Sequence, residues 1–173
     1  MSVSVKLVHP SDAAAVLAFE LANRQHFEQY IATRGDNYYH LAHVKTSLEQ
    51  AYAAAHLAQQ KEYHYLAWLG EQVVGRVALR AVEREQYFKA SVGYRFSAQH
   101  QGKGYASAAL NYVAQQAFEH LHLHRLEAVV IASNGASQQV LRKCGFTQYG
   151  HAHSAVLQNK EWCDLYLFER LNE

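Results

Sequence analysis

The stretch Gln99-His100-Gln101-Gly102-Lys103-Gly104-Tyr105-Ala106-Ser107 carries two glycines one residue apart, just ahead of an apolar ladder of helical period. Glycine removes the side chain that would block a close approach, so successive backbone amides can converge on one anion. A helix starting at the same point adds the positive end of its dipole. Phosphate or pyrophosphate suits such a loop, and Lys103 either adds charge or stands solvated. The spacing by itself also fits an ordinary strand-to-helix turn that needs glycine only for geometry. A Walker A loop requires a Gly-Lys-Ser/Thr ending, which Gly102-Lys103-Gly104-Tyr105 lacks. The dinucleotide fingerprint fits weakly, because position 107 is serine and Glu127 stands near the start of the next strand rather than at its end.

Elements on both sides must position this loop. Val3 to Val8 suits a strand with one buried face, ended by His9-Pro10, with Ser11 or Asp12 as the cap of a helix. Val16, Phe19, Glu20, Asn23 and Phe27 fall at helical spacing, Gly35-Asp36-Asn37 makes a break, and Val44, Leu48, Ala51, Tyr52 and Ala55 mark a second helix. The period then changes. Tyr63 to Leu69 and Val73 to Val82 predict a hairpin around Gly70-Glu71-Gln72, and Ser91 to Phe96 a shorter strand. Beyond the glycines, Ala109, Leu110, Val113, Ala114, Ala117, Phe118 and Leu121 define a helix with a broad buried face. A strand over Leu126 to Ala132, a short helix over Ala136 to Lys143 closed by Cys144-Gly145, and strands from Phe146 and over Trp162 to Phe168 complete the order. Strand, two helices, three strands, helix, strand, helix, two strands predicts a mixed α/β (α+β) fold with helices on both faces of one sheet.

Composition bounds the function. A chain of 173 residues that is 50% hydrophobic can bury a core, and a single domain over residues 1–173 is expected. A formal charge of +1 gives no global field toward nucleic acid or an anionic membrane, so neither is an expected partner. Two cysteines and no apolar leader argue against a disulfide framework and for a cytoplasmic setting, and no apolar run approaches membrane-span length. Cys144 and Cys163 read as buried thiols. His120, His122 and His124 alternate, but they stand at a helix end where interaction with the last carbonyls accounts for them, so no metal site is expected.

Two motifs together carry a resemblance. Gln99-x-x-Gly102-x-Gly104, after a strand and before a long helix, resembles the acetyl-CoA signature of the GNAT N-acetyltransferase superfamily. Asn134-x-x-Ser137 followed by Leu141-Arg142-Lys143-Cys144-Gly145-Phe146 resembles its second conserved block. Asn23-Arg24, Val74-Gly75-Arg76-Val77, Val92-Gly93-Tyr94 and Asn134-Gly135-Ala136-Ser137 are most similar to the branch of ribosomal-protein N-terminal acetyltransferases, with polyamine and aminoglycoside acetyltransferases close by. The resemblance implies a mostly antiparallel central sheet of about seven strands, acetyl-CoA as cosubstrate and an amine acceptor, either a protein N-terminus or a small molecule; relatives are often homodimers. A non-catalytic acyl-CoA-binding module is the alternative.

Carried over residue by residue, the resemblance pairs the backbone of Tyr94, Arg95 and Phe96 with the pantetheine arm. It sets the amides of Gln101, Gly102, Lys103, Gly104, Tyr105, Ala106 and Ser107 around the pyrophosphate. Asn134 falls where the family hydrogen-bonds the cofactor near its reactive end, and it can equally cap the helix behind it. Direct acetyl transfer needs a neutral amine, a stabilised oxyanion and a proton for the departing thiolate. Many relatives carry a tyrosine as acid where this chain has Leu141, so Ser137 becomes the candidate acid, with a helix-cap role as its alternative. No base is assigned: Glu83, Glu85, His151 and His153 are the titratable residues at eligible places, and a water chain serves as well. Tyr38, Tyr39 and His40 fall where the family builds one wall of the acceptor site, and plain packing accounts for them too.

Overall fold

Alternating and continuous apolar runs build one sheet, on which the four amphipathic stretches lie as helices. The computed structural model describes residues 2–54, 57 and 60–172. In chain order the elements are β1 (Ser4–Leu7), α1 (Ala13–Phe27), α2 (Leu41–Ala54), β2 (Tyr63–Leu69), β3 (Gln72–Glu83), β4 (Lys89–Phe96), α3 (Tyr105–Gln115), β5 (Arg125–Ile131), α4 (Gly135–Lys143), β6 (Thr147–Gln158) and β7 (Glu161–Leu171). The seven strands lie in the order β1-β2-β3-β4-β5-β7-β6. Every neighbouring pair is antiparallel except β4 with β5. The expected order of elements and the mostly antiparallel sheet are both present.

Two apolar clusters sandwich the sheet. On one face Ala109, Leu110, Val113 and Ala114 of α3 and Leu141 of α4 pack on Val77, Leu79, Val92, Ala128 and Phe168. On the other, Val16, Phe19 and Phe27 of α1 and Val44 and Leu48 of α2 pack on Leu66 and Val73. The strands supply the two clusters from alternate positions, as a pleated strand must.

Several local expectations are corrected. Neither Ser11 nor Asp12 caps α1. The ring of His9 accepts from the Ser11 amide at 3.2 Å, and the Asp12 carboxylate accepts from the His9 amide at 2.8 Å, closing a short 3-10 turn over Pro10–Asp12. The long helix is regular only to Gln115 and ends in a wider turn over Gln116–His120, so Leu121 lies beyond it. His120 ends this turn and His122, with a φ of 53°, lies beyond it. Cys144 is buried, but Cys163 is only half-buried. Ala55, assigned to the second helix, lies outside the described residues.

Candidate functional site

The parallel strands β4 and β5 pair only at Lys89–Arg125, Ala90–Leu126 and Ser91–Glu127. β4 goes on pairing with β3 as far as Phe96, and β5 with β7 as far as Ile131. The two strands therefore part after Ser91, and a split opens in the middle of the sheet. Ser97 N–H donates to the Val74 carbonyl at 2.9 Å, which fixes the phase of the β3–β4 ladder. Main-chain groups alternate sides along a strand, so Arg95 turns its amide and carbonyl to β3 while Tyr94 and Phe96 turn theirs into the split. Of the three residues expected along a pantetheine arm, two present backbone to the open edge and the middle one does not.

β4 leads straight into the glycine loop. Asn23 of α1 is buried and accepts from the Ala98 amide at 3.1 Å, which ties the exit of β4 to α1. Gly102 and Gly104 have φ of 74° and 80°, and Gly104 stands in the cap position of α3 with no side-chain cap. From Gly102 to Ser107, no amide has a hydrogen-bond acceptor among the described residues. Orphan donors of this kind at a helix start are an anion-binding arrangement. Gln101 differs: its amide leans on the Ala98 carbonyl at 3.4 Å and its side chain meets the His26 ring at 2.9 Å. Lys103 is exposed.

Across the split stands α4. Asn134 accepts from the Ser137 amide at 3.0 Å, so it does cap this helix, yet its side-chain NH2 has no partner among the described residues. Ser137 is reached from β4: the Tyr94 hydroxyl lies 2.9 Å from the Ser137 carbonyl and 2.9 Å from its Oγ. Burial pushes the Tyr94 phenol well above its ordinary range, with the Ser137 hydrogen bond opposing, so it stays a protonated donor. Leu141, where relatives have a tyrosine, is buried in the core. The Tyr94 hydroxyl was not legible as a partner of Ser137, because the two are brought together only by the packing of α4 on β4. At the far end of α4 the Cys144 thiol donates to the Ser107 carbonyl at 3.4 Å, and burial raises its pKa.

On the other face of β4 lies a charged cluster that the sequence signalled only as polar residues in the apolar stripe of α1. Glu20 is 2% exposed and binds Arg76 of β3 at 2.6 Å and also Arg95 of β4. The Tyr38 hydroxyl accepts from Arg95 at 2.7 Å and from Arg76 at 3.4 Å. Tyr38 is thus tied to the sheet beside the split, whereas the Tyr39 ring lies under Arg24, 4.3 Å from its guanidinium carbon, and His40 is exposed.

None of the residues considered as base hydrogen-bonds Tyr94 or Ser137 among the described residues. Glu83 pairs with Lys89, at the closed end of the split, and Glu85 is exposed in the following turn. His151 and His153 of β6 share the Asp164 carboxylate at 2.7 and 3.2 Å, forming the group of potential metal ligands among the described residues.

Comparison with known proteins agrees with this geometry. Residues 4–147 match the acetyltransferase (GNAT) domain model. A probable N-acetyltransferase, YjcK, of Bacillus subtilis is 31% identical over 173 residues, covering 99% of this chain and 94% of its own length. The crystal structure of ribosomal-protein-S5-alanine acetyltransferase from Vibrio fischeri superposes with a TM-score of 0.94 at 24% identity, covering 100% of this chain and 94% of that one. A spermidine N-acetyltransferase from Vibrio cholerae, in complex with CoA and spermine, superposes with a TM-score of 0.78 at 20% identity, covering 98% and 95%. The chain belongs to the GNAT family of N-acetyltransferases, whose reaction moves an acetyl group from acetyl-CoA to an amine.

Proposed function

We propose that this protein is a single-domain, acetyl-CoA-dependent N-acetyltransferase whose acceptor is a protein N-terminal amine. The observation that carries the reading is the continuity of the β4 edge with the glycine loop: unpaired backbone at Tyr94 and Phe96 runs directly into six unpartnered amides from Gly102 to Ser107. An extended arm ending in a pyrophosphate matches that order of groups. Acetyl-CoA, when bound, supplies an acetyl group activated as a thioester. The amides of Gly102 to Ser107 hold its pyrophosphate, the backbone of Tyr94 and Phe96 aligns the arm, and the free NH2 of Asn134 donates near the reactive end.

The proton for the leaving thiolate comes from the Ser137 hydroxyl, which Tyr94 orients; as the acetyl–nitrogen bond forms and the thioester C–S bond breaks, the acceptor nitrogen sheds one proton, which restores the Ser137 hydroxyl through solvent. No carboxylate or imidazole hydrogen-bonds Tyr94 or Ser137 among the described residues. An acceptor that needs little help from a base therefore fits best. Deprotonating an α-amine at neutral pH costs about 1 kcal/mol, against about 4 kcal/mol for a lysine-like amine. Free thiols at Cys144 and Cys163 accord with a reducing cytoplasm.

Release of free CoA is followed by thiol titration with N-terminal peptides, polyamines and aminoglycosides, beside thermal melts with CoA. CoA at a hundredfold excess over its Kd stabilises the fold by about 2.7 kcal/mol. Stabilisation without thiol release from any amine leaves only an acyl-CoA-binding module; no stabilisation removes the cosubstrate as well.

A further inference from the structure

The face of the sheet that carries α1 and α2 is bare over the split. Val129 of β5 is 55% exposed, Ser91 of β4 is exposed and Gly93 has no side chain. An acceptor reaches the open edge of β4 from this face, because α3 and α4 cover the other.

The border of this bare surface is cationic. Arg76 and Arg95 stand directly opposite each other on β3 and β4, an arrangement of like charges that is unfavourable unless neutralised. Glu20 is the carboxylate they share. Arg80, on the same side of β3, is exposed, with its Nη1 3.4 Å from where a Cβ of Gly93 would stand. Arg34 stands over the Tyr38 ring, 4.2 Å from guanidinium carbon to centroid. Neither Arg34 nor Arg80 has a carboxylate partner among the described residues, and the Nε of Arg95 is buried without an acceptor. Other nearby carboxylates are engaged: Glu28 and Asp36 with Arg24, Glu62 with His64, and Glu127 with Lys89 and Arg125. Burial first, and then the Arg95 charge, lower the Arg34 pKa, with Tyr38 and Glu20 opposing.

We infer that the acceptor amine arrives attached to an anionic group held by Arg34, Arg80 and Arg95, so that acidic peptide N-termini are the preferred substrates and polyamines are rejected. This rests on the acetyl-transfer reading above and narrows its acceptor. Carboxylates match the planar donor fork of arginine, and a polycation would add to an uncompensated positive field. The anionic group is either an acidic side chain next to the reacting amine or the main-chain carboxylate of a short acceptor.

The test compares peptide amides that begin Ala-Asp-Asp, Ala-Asn-Asn and Ala-Lys-Lys, with the free dipeptide Ala-Ala against its amide to separate the two sources of carboxylate. Spermidine is run alongside. Thiol release gives kcat/KM, and calorimetry gives binding of the N-acetylated Ala-Asp-Asp peptide to the CoA-loaded protein. The acidic peptide is expected to exceed its amide counterpart by about tenfold in kcat/KM, through KM, with the advantage shrinking as salt rises. Arg34→Gln collapses that ratio and weakens binding of the acetylated acidic peptide. Lys6→Gln, an equal charge change at an exposed position on β1, leaves both as they are. Equal turnover of neutral and acidic peptides, or preferred turnover of spermidine, overturns the inference while acetyl transfer stands. Arg34-dependent peptide binding without thiol release supports the inference and sinks the enzyme reading instead. Neither binding nor turnover overturns both.

Discussion

The Tyr94 hydroxyl sits 2.9 Å from both the carbonyl and the Oγ of Ser137, so a residue of β4 reaches across the split to the first turn of α4. The phenol donates to the carbonyl, and either hydroxyl of the Tyr94–Ser137 pair can donate to the other, so the contact fixes where the Ser137 Oγ stands. Ser137→Ala is expected to lower kcat by about a hundredfold with little change in the acetyl-CoA KM, the scale of a lost general acid. Tyr94→Phe should also lower kcat and cost about 1 kcal/mol of stability for the lost hydrogen bond. Steady-state kinetics with urea denaturation separates the two effects. An Ala variant at Ser137 with full kcat leaves the serine only a structural role.

Gly75 and Phe96 interlock across the β3–β4 ladder. A Cβ built on Gly75 would collide with three atoms of the Phe96 ring, and that ring is 9% exposed. Gly75→Ala should therefore destabilise by about 1–3 kcal/mol and displace Phe96 from the edge where β4 meets the loop. A smaller partner relieves the clash, so Phe96→Val in the same chain recovers part of the loss. Urea midpoints of the two singles and the double, read as a cycle, show the coupling or its absence.

Gly104 and Gly70 form a matched pair, with φ of 80° and 60° and no neighbouring atom within 4 Å of where a Cβ would stand. Alanine at either position carries comparable strain, about 1–2 kcal/mol. Only Gly104 belongs to the row of free amides. Gly104→Ala is expected to weaken the CoA-induced rise in melting temperature, whereas Gly70→Ala lowers the melting temperature and leaves that rise unchanged. Equal responses to CoA in the two variants would move the pyrophosphate away from this loop.

Asn134 combines a cap with a free donor. Asn134→Ala removes both and should cost about 1 kcal/mol. Asn134→Asp keeps the acceptor for the Ser137 amide while losing the NH2, so stability should hold and kcat/KM for acetyl-CoA should fall. Wild-type turnover in the Asp variant confines Asn134 to capping.

His64 supplies a pH dependence. Burial first, and then the charges of Arg76 and Arg80, depress its pKa below the ordinary 6.5, with Glu62 opposing through a hydrogen bond. Above 6.5 both folded and unfolded chains hold a neutral ring and the group contributes no slope. Below it the unfolded chain takes up the proton first, so stability falls with pH until the folded ring also titrates. His64→Gln should flatten this part of the curve when urea midpoints are followed from about pH 7.5 to about pH 5.

The order of elements was legible because each is encoded locally. The ladder from Ala109 to Phe118 is helical in period, and Tyr63–Leu69 carries aromatic and apolar residues at strand length. Boundaries failed where local rules compete: a 3-10 turn capped by the His9 ring precedes α1 and draws in the side chain of Asp12, and a wide turn replaced the last helical turn before Leu121. The glycine loop was legible from spacing as a strand-to-helix turn able to take an anion, whereas the unpartnered amides from Gly102 to Ser107 are seen only in the structure. Glu20 and Asn23 were visible as polar residues in the apolar stripe of α1, a signal of buried polar work without any sign of their partners.

The sequence by itself determined the glycine turn ahead of α3, the two family motifs and the alternation of strand and helix, since all depend on residues within a few positions of one another. Only the tertiary structure decided that Tyr94 meets Ser137, that Arg95 turns from the split toward Glu20, and that four arginines border one bare face. Those relationships join residues as far as 43 and 75 positions apart in the chain. They are set by sheet register and by which face each helix covers, and no local period records either.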